Sequence, residues 1–222
     1  MSNIKLVHSG GNSVSLTTPD SNPAANRTFK LPGADGTSGQ AMVTDGSGGL
    51  SFANTLKNFG TTTISSAQSE VDIDFDVTNY SNFKLMLEGW NPSADCNMYC
   101  RFKINGSIST GSNYCSLTIK KYAGGFDSNE YGGANQNYGY MTHNVGGNDG
   151  TYETYSAQLE IMTGSGTGMP FMNLSTMYKD NNATYAHNEG VVAWQNHNQI
   201  QGIRIYPSTG TITAGKYTLY GF

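Results

Sequence analysis

The feature that most limits the fold of this chain is the alternation of apolar and polar side chains in short runs. In residues 71–77, Val71, Ile73, Phe75 and Val77 alternate with three aspartates, and this two-residue period is that of a strand with one buried face. No segment keeps the 3.6-residue period of an amphipathic helix. Further strands are predicted at 83–87, 98–104, 114–120, 155–161, 171–178, 191–194, 200–206 and 217–222. Many short strands separated by turns predict an all-β fold, an antiparallel β-sandwich of the jelly-roll kind.

Three turn signals predict which of these strands are neighbours. Asn105-Gly106 is a strong signal for a tight hairpin. A glycine-rich segment at 164–168 and a Ser-Thr-Gly turn at 208–210 are the other two. The hairpins predicted in this way pair 98–104 with 114–120, 155–161 with 171–178, and 200–206 with 217–222.

Residues 1–58 differ from the rest of the chain in the length and spacing of their apolar segments. Short apolar segments alternate there with turn clusters, and Pro19 and Pro23 interrupt them. No segment is long enough to build a core, and an isolated two-stranded fragment is only marginally stable in water. We therefore expect residues 1–58 to form an arm that packs on the next domain or on copies of itself. Residues 59–222 are expected to form the sandwich domain.

Charge and hydropathy exclude several classes of partner. The formal net charge is −4 and only 13% of residues are charged, so nucleic-acid binding lacks its electrostatic driving force. No stretch approaches the roughly 18 apolar residues that a membrane-spanning helix needs. The first residues also lack the apolar region of a secretory signal. We expect neither nucleic-acid binding nor membrane insertion.

No catalytic or metal-binding motif is recognisable. The sequence lacks a G-x-S-x-G elbow, a phosphate loop and an H-E-x-x-H pair. The odd number of cysteines predicts free, partly buried thiols at Cys96, Cys100 and Cys115. Asp72, Asp74 and Asp76 are expected on a solvated strand face rather than in a calcium site, and His8, His143, His187 and His197 lie among Asn and Gly and are expected in loops. We therefore expect no enzyme activity, no cofactor and no metal.

A short internal repeat lies within the predicted arm. Asp35-Gly36 and Asp45-Gly46 each begin a turn rich in Gly and Ser, ten residues apart. Asp-Gly favours a tight turn because glycine accepts positive φ without steric cost. An ordinary β-meander and a fibre shaft, in which several chains share apolar edges, both fit this spacing.

Residues 29–52 resemble a motif common in bacteriophage tail-fibre and related virion proteins, roughly TLP-x-x-DGT-x-GQ-x-L-x-TDGSG-x-LSW. The chain departs from it at Phe52, where Trp is typical. Residues 203–210 and 217–222 are similar to the ends of marine-phage (cyanophage-like) structural proteins. The resemblance implies a virion component that is a homotrimer. It also implies a docking or shaft role for Leu31, Pro32, Asp35, Gly36, Gly39, Gln40, Asp45, Gly46, Leu50 and Phe52.

The stretch from 122 to 155 is rich in tyrosine among Gly, Asn and Asp. Tyrosine offers a large flat face with one polar tip and loses little rotamer entropy on binding, which suits a host-surface glycan. Packing within strands or at a trimer interface is the alternative. Trp90 and Trp194 are expected in the core or at its rim. The candidate receptor-binding residues are Tyr122, Phe126, Tyr131, Tyr138, Tyr140 and Tyr152.

These observations predict a non-enzymatic virion protein that is assembled in the host cytoplasm. It would be a short trimeric fibre or spike that docks through its arm to tail, adaptor or capsid proteins and presents the sandwich to a host-surface glycan. A head-decoration or tail adaptor protein without a receptor role is the alternative. A carbohydrate-cleaving enzyme would need a convergent acidic pair, for which Glu153, Glu160 and Glu189 are the nearby carboxylates.

Overall fold

The computed structural model describes residues 4–16, 20–21, 23–26, 28–37, 40–54, 56–147, 153–164 and 168–222, with the side chains of Val14, Asn54 and 126–131 outside the description. These residues form strands, turns and loops and contain no helix, so the predicted all-β fold is confirmed. The strands are β1 (Ile4–Val7), β2 (Ser13–Leu16), β3 (Gln40–Thr44), β4 (Leu50–Asn54), β5 (Lys57–Ile64), β6 (Val71–Asp74), β7 (Asn82–Pro92), β8 (Cys96–Ile104), β9 (Ser107–Ile108), β10 (Tyr114–Tyr122), β11 (Gly125–Gln136), β12 (Gly139–Val145), β13 (Tyr155–Met162), β14 (Phe171–Lys179), β15 (Tyr185–Trp194), β16 (Ile200–Pro207) and β17 (Ile212–Gly221).

The chain divides into two compact units, Met1–Thr55 and Leu56–Phe222. The first unit, called the arm below, holds two separate antiparallel hairpins, β1–β2 and β3–β4. The second unit, called the sandwich, begins with β5, which includes residues 57 and 58. The division therefore lies three residues before the boundary predicted from the sequence.

The sandwich consists of two antiparallel sheets. The larger has eight strands in the order β11-β10-β15-β14-β13-β7-β17-β5, and the smaller has the order β12-β8-β16-β6 with β9 paired to β8. Sequential strands repeatedly change sheet, as β7, β8 and β10 do. Each such crossing places a second layer over the apolar face of the first, which is how a β-protein buries a core.

One hydrophobic core lies between the two sheets. Strand β8 is strictly alternating, with Met98, Cys100 and Phe102 fully buried. Aromatic contacts join the layers, because Phe75 stacks on Phe83 at 4.7 Å and Phe102 lies 5.5 Å from Tyr114. Each large apolar side chain buried in this way contributes about 1.5–3 kcal/mol.

Several predictions from local pattern are confirmed. Val71, Ile73 and Phe75 are buried, and Asp72 and Asp74 are exposed on the opposite side. The predicted pairing of 155–161 with 171–178 is the β13–β14 pair, with Leu159 opposite Leu174. Both tryptophans lie in the core. The three cysteines are free thiols, of which Cys96 and Cys100 are buried and Cys115 is half-buried. Burial raises the pKa of Cys96 to about 12 and raises the pKa of Cys100 as well.

Two predicted hairpins are wrong. Asn105 and Gly106 do form a tight turn, with φ of 50° and 80°, but this turn pairs β8 with the two-residue strand β9. Strand β10 lies in the other sheet, between β11 and β15. Strands β16 and β17 likewise belong to different sheets instead of forming one hairpin. A turn signal specifies the local backbone conformation. Which sheet the next strand joins depends instead on which apolar sheet face still lacks a packing partner.

The loop prediction for the histidines is wrong at two positions. His143 lies in β12 and His187 lies in β15. His8 follows β1 at a turn and His197 lies in the connection before β16, as expected. Neighbouring Asn and Gly residues do not prevent strand formation where a paired neighbour supplies the backbone hydrogen bonds.

Candidate functional site

The predicted docking motif forms an ordered turn at the tip of the β3–β4 hairpin. The Oδ1 atom of Asp45 accepts hydrogen bonds from the backbone N–H groups of Ser47 and Gly49, at 2.7 and 2.9 Å. Gly46 has φ of 79°, a conformation that glycine adopts without strain. The Asp-Gly pair therefore specifies this turn, as the sequence predicted.

A strap of residues 28–37 lies beside the same hairpin. The backbone N–H of Lys30 donates to Gly48 (2.8 Å), and that of Leu50 donates to Lys30 (2.9 Å). A Cβ atom at Gly36 would lie 2.7 Å from ring carbons of Phe52, so only glycine allows this approach. We call residues 28–37 and 40–54 the clasp.

The side chain of Gln40 links the strap to the hairpin. Its Oε1 atom accepts from the backbone N–H of Thr37 at 2.8 Å, and the backbone N–H of Gln40 donates to the Thr37 carbonyl at 3.2 Å. Pro32 and Leu50 are half-buried and Asp35 is exposed, while Gly39 lies outside the described residues. The clasp thus joins Gly36, Gln40, Asp45 and Gly46 in one structural unit, which is held by hydrogen bonds from the backbone to the Gln40 and Asp45 side chains and by a tight turn at Gly46.

The arm has no buried residue among those that the structure describes. Leu31 is 76% exposed, and Ile4, Leu6 and Leu16 are each about two-thirds exposed. In the β1–β2 hairpin, Ile4 lies opposite Leu16, and Leu6 is two residues along the strand from Ile4. Directly opposite residues and alternate residues of a strand share one face, so Ile4, Leu6 and Leu16 lie on one exposed aliphatic face, called the arm hairpin face.

Two of the predicted receptor-binding tyrosines lie on the outer face of the smaller sheet. Tyr140 in β12 is directly opposite Tyr99 in β8, and Tyr99 is directly opposite Tyr206 in β16. Tyr138 stacks on Tyr99 with ring centroids 4.3 Å apart. We call Tyr99, Tyr138, Tyr140 and Tyr206 the tyrosine row.

Polar and charged groups surround the tyrosine row. The Arg101 guanidinium lies over the Tyr206 ring, 5.2 Å from its centroid, and its Nε donates to the Asn137 carbonyl at 3.1 Å. The Asn97 amide donates to the Tyr99 hydroxyl at 3.2 Å. Burial raises the pKa of Tyr206 to about 12, so its phenol is neutral and able to donate a hydrogen bond at physiological pH.

The other predicted receptor residues lie elsewhere. Tyr122 ends β10 in the larger sheet and is 41% exposed. Phe126 and Tyr131 lie in β11, with side chains outside the description, and Tyr152 lies outside the described residues altogether. Tyr140 is only 8% exposed, so it packs within the tyrosine row and offers little accessible surface to a ligand.

Sequence reasoning missed Tyr99, Tyr206 and Arg101 as members of this face. Tyr99 and Arg101 occupy outward positions of the alternating strand β8. The alternation in the sequence was sufficient to predict that both side chains face outward. Their position beside Tyr206 depends on the register between strands that are distant in the chain. Such a register is not a local property of the sequence.

The carboxylates considered for catalysis do not converge. Glu160 lies on β13 within 4.0 Å of Lys84, and Glu189 lies on β15, where it pairs with Lys121. Strand β14 separates these two strands, and Glu153 is buried. In the described part of the chain no three His, Cys, Asp or Glu residues are grouped as metal ligands, and no helix there is long and apolar enough to cross a membrane.

Comparison with known proteins adds no relative. A scan against protein-family models found no match, and a search of curated proteins found no significantly similar sequence.

Proposed function

We propose that this chain is a non-enzymatic structural component of a bacteriophage particle, a short fibre or spike protein that docks through its arm and presents the sandwich to the host surface. The observation that carries the proposal is the contrast within the arm. Its clasp is held by specific hydrogen bonds, yet it buries none of its described side chains. An ordered segment without a core is suited to completion by another protein surface.

The energetics favour such completion. Ile4, Leu6, Leu16 and Leu31 remain largely exposed, and burial of each would contribute up to about 1.5–3 kcal/mol. Exposed aliphatic groups that share one face, as Ile4, Leu6 and Leu16 do, usually mark an interaction surface. We expect the partner to be sister chains, a tail or capsid subunit, or both.

A homotrimer is part of this proposal. Three copies of the arm hairpin face around one axis would give each other the second layer that a lone hairpin lacks. Three sandwiches would then face the host together, and weak individual contacts would add through avidity. The tyrosine row is the surface we assign to host contact, with a glycan as the ligand.

The first experiment compares the full chain with a variant that lacks residues 1–55. We expect the deletion to abolish incorporation of the protein into particles of the phage whose genome encodes it. The remaining sandwich should unfold at the same temperature as it does in the full chain. Imaging of tagged full-length protein should place it on the particle surface. Normal incorporation of the deletion variant would refute the docking role.

The second experiment measures the mass of the purified full chain by light scattering. A trimer is expected over a wide concentration range. A monomer that stays folded at high dilution would contradict the trimer proposal. It would leave open docking to a different virion subunit, which the deletion experiment tests.

A head-decoration or adaptor protein without receptor contact is the second candidate. Tyr99 stacks on Tyr138, and Tyr140 is mostly buried, so packing of the tyrosines against one another favours this reading. The two candidates differ in one measurement. Replacing Tyr138 and Tyr206 by Ala should weaken adsorption of particles to host cells only if the sandwich contacts the host.

A further inference from the structure

Three cations lie on the outer face of the smaller sheet, and they differ in their partners. Arg204 binds Asp72 with two hydrogen bonds of 2.7 Å and also binds Glu70 at 2.8 Å. Lys103 binds Asp74 at 2.7 Å. Arg101 lies directly opposite Arg204 but forms no salt bridge with any described residue.

Arg101 is nevertheless held in place. The Tyr206 ring lies beneath its guanidinium, and its Nε is bound to the Asn137 carbonyl. A guanidinium fixed on an aromatic ring loses little further freedom when it binds a ligand. Its two terminal nitrogens form the planar fork that matches a carboxylate through two parallel hydrogen bonds.

The surroundings of Arg101 are aromatic and polar. Tyr138 and Tyr206 are half-buried, so part of each side chain is accessible to a ligand. The row crosses three adjacent hydrogen-bonded strands, β12, β8 and β16, which span about 10 Å. Strands β8 and β16 are hydrogen-bonded to a neighbour on both sides, so the middle of this face offers side chains to a ligand and no free backbone edge for an added peptide strand.

From this arrangement we infer that the outer face of the smaller sheet is a binding site for a carboxylate-bearing sugar. Arg101 receives the sugar carboxylate through its terminal nitrogens, and the rings and hydroxyls of Tyr138 and Tyr206 contact the sugar ring beside it. This assignment rests on the proposed function of the sandwich in host contact and adds the ligand class, a uronic or sialic acid of a surface glycan.

The test titrates the full chain with matched pairs of sugars by isotope-edited NMR. The probes are trigalacturonate against its methyl ester, and sialyllactose against lactose, so that each pair differs in the acidic group. We expect at least one acid to bind, with affinity about tenfold or more above that of its neutral match, because a charge-assisted bidentate contact is roughly twice as strong as a neutral one. The shifted resonances should include those of residues 99–101 and 206.

Three variants assign the effect to Arg101. Arg101→Gln should reduce affinity for the acid about tenfold or more and leave the weak binding of the neutral sugar unchanged. Arg101→Lys keeps the charge and loses the fork, so it should give an intermediate loss. Lys216→Gln removes an equal charge from an exposed pair with Glu88 on the larger sheet and should not change the affinity. Amide spectra of each variant establish that it is folded.

Several outcomes would overturn the assignment. These are an absence of binding by every acidic probe at millimolar concentration, equal binding of acid and neutral match, and unchanged affinity in the folded Arg101→Gln or Arg101→Lys variants. Comparable binding of a polyglutamate peptide at the same resonances would replace the sugar with an acidic peptide. If the titration fails while incorporation still requires the arm, only this inference falls. If the acid binds while incorporation does not require the arm, the site stands and the virion role falls.

Discussion

The arm and the sandwich are built from the same kind of local sequence, short strands joined by turns rich in Gly, Asn and Ser, yet they bury very different amounts of apolar surface. Leu31 of the arm is 76% exposed, whereas Leu85 of the sandwich is 0% exposed. The arm has two isolated hairpins, and the sandwich has two sheets facing each other. A strand pattern creates an apolar face, and only a second layer converts that face into a core.

The two units also differ in what they can hold inside. The sandwich encloses an ion pair, with Lys120 Nζ 2.9 Å from Asp180 Oδ2 and both side chains 6% exposed. The other carboxylate oxygen accepts from the backbone N–H groups of Asn182 and Thr184. Burial raises the pKa of Asp180, but the hydrogen bond from Lys120, the two backbone hydrogen bonds and the charge of Lys120 together outweigh it, so the pKa lies below the ordinary value of 3.8.

The largest expected effect comes from removing this charge. Asp180→Asn keeps an oxygen for the two backbone donors but leaves Lys120 buried without its counter-ion, and should cost about 3–5 kcal/mol of unfolding free energy at neutral pH. Urea unfolding of the purified chain measures it. A loss below about 1 kcal/mol would mean that the sandwich does not seal this pair from water.

The same pair gives a signed pH dependence. Because the pKa of Asp180 is lower in the folded chain than in the unfolded one, its carboxylate stabilises the fold above about pH 4, and this contribution is lost as the pH falls through the folded value. Asp180→Asn should therefore flatten the acid limb of stability against pH. An unchanged acid limb would assign that limb to other carboxylates.

The next effect compares one substitution in the two units. Leu85→Ala should lower the unfolding free energy of the sandwich by about 2–5 kcal/mol, whereas Leu31→Ala should change it by less than about 0.5 kcal/mol. In assembled particles we expect Leu31→Ala to reduce incorporation. Equal costs in the isolated chain would show that the arm has a core of its own and would break the comparison.

A smaller effect is confined to the arm. Gly36→Ala places a Cβ against the Phe52 ring and should disturb the clasp by about 1–3 kcal/mol without moving the unfolding of the sandwich. Gly33→Ala is the matched control, because nothing lies within 4 Å of its added Cβ. Amide chemical shifts of residues 28–54 measure the change. Equal spectra for the two variants would argue against the contact between Gly36 and Phe52.

The smallest effect lies on the sandwich surface. Glu88→Gln removes an exposed partner of Lys216, whose Nζ is 3.0 Å away, and should cost less than about 1 kcal/mol. The same urea titrations measure the loss. A larger value would mean that the exposed fraction of a side chain does not predict its contribution to stability, and the comparison of the two units by exposure would fail.

Part of the fold was predictable from local pattern. The alternation in 71–77 predicted which side chains of β6 are buried, and the turn at 164–168 predicted the β13–β14 pair. The hairpin predicted at Asn105-Gly106 was wrong about its second strand, because the turn is local whereas the sheet that β10 joins is not.

Part of the candidate site was predictable as well. Tyr138 and Tyr140 were proposed from composition, and Asp45 and Gly46 from turn chemistry. Tyr99, Arg101 and Tyr206 were missed, because they come together only through the pairing of β8 with β16, strands that are about one hundred residues apart in the sequence.

The amino-acid sequence by itself determined the all-β character of this protein, the tight turns of the clasp and the inward or outward direction of side chains along most strands. These properties depend on φ, on the absence of a Cβ at glycine and on the two-residue period, all of which act within a few residues. The tertiary structure alone decided which sheet each strand joins, which tyrosines meet and which arginine has no carboxylate partner among the residues that the structure describes. Those outcomes depend on how two apolar sheet faces cover each other, and this packing involves strands that are far apart in the sequence.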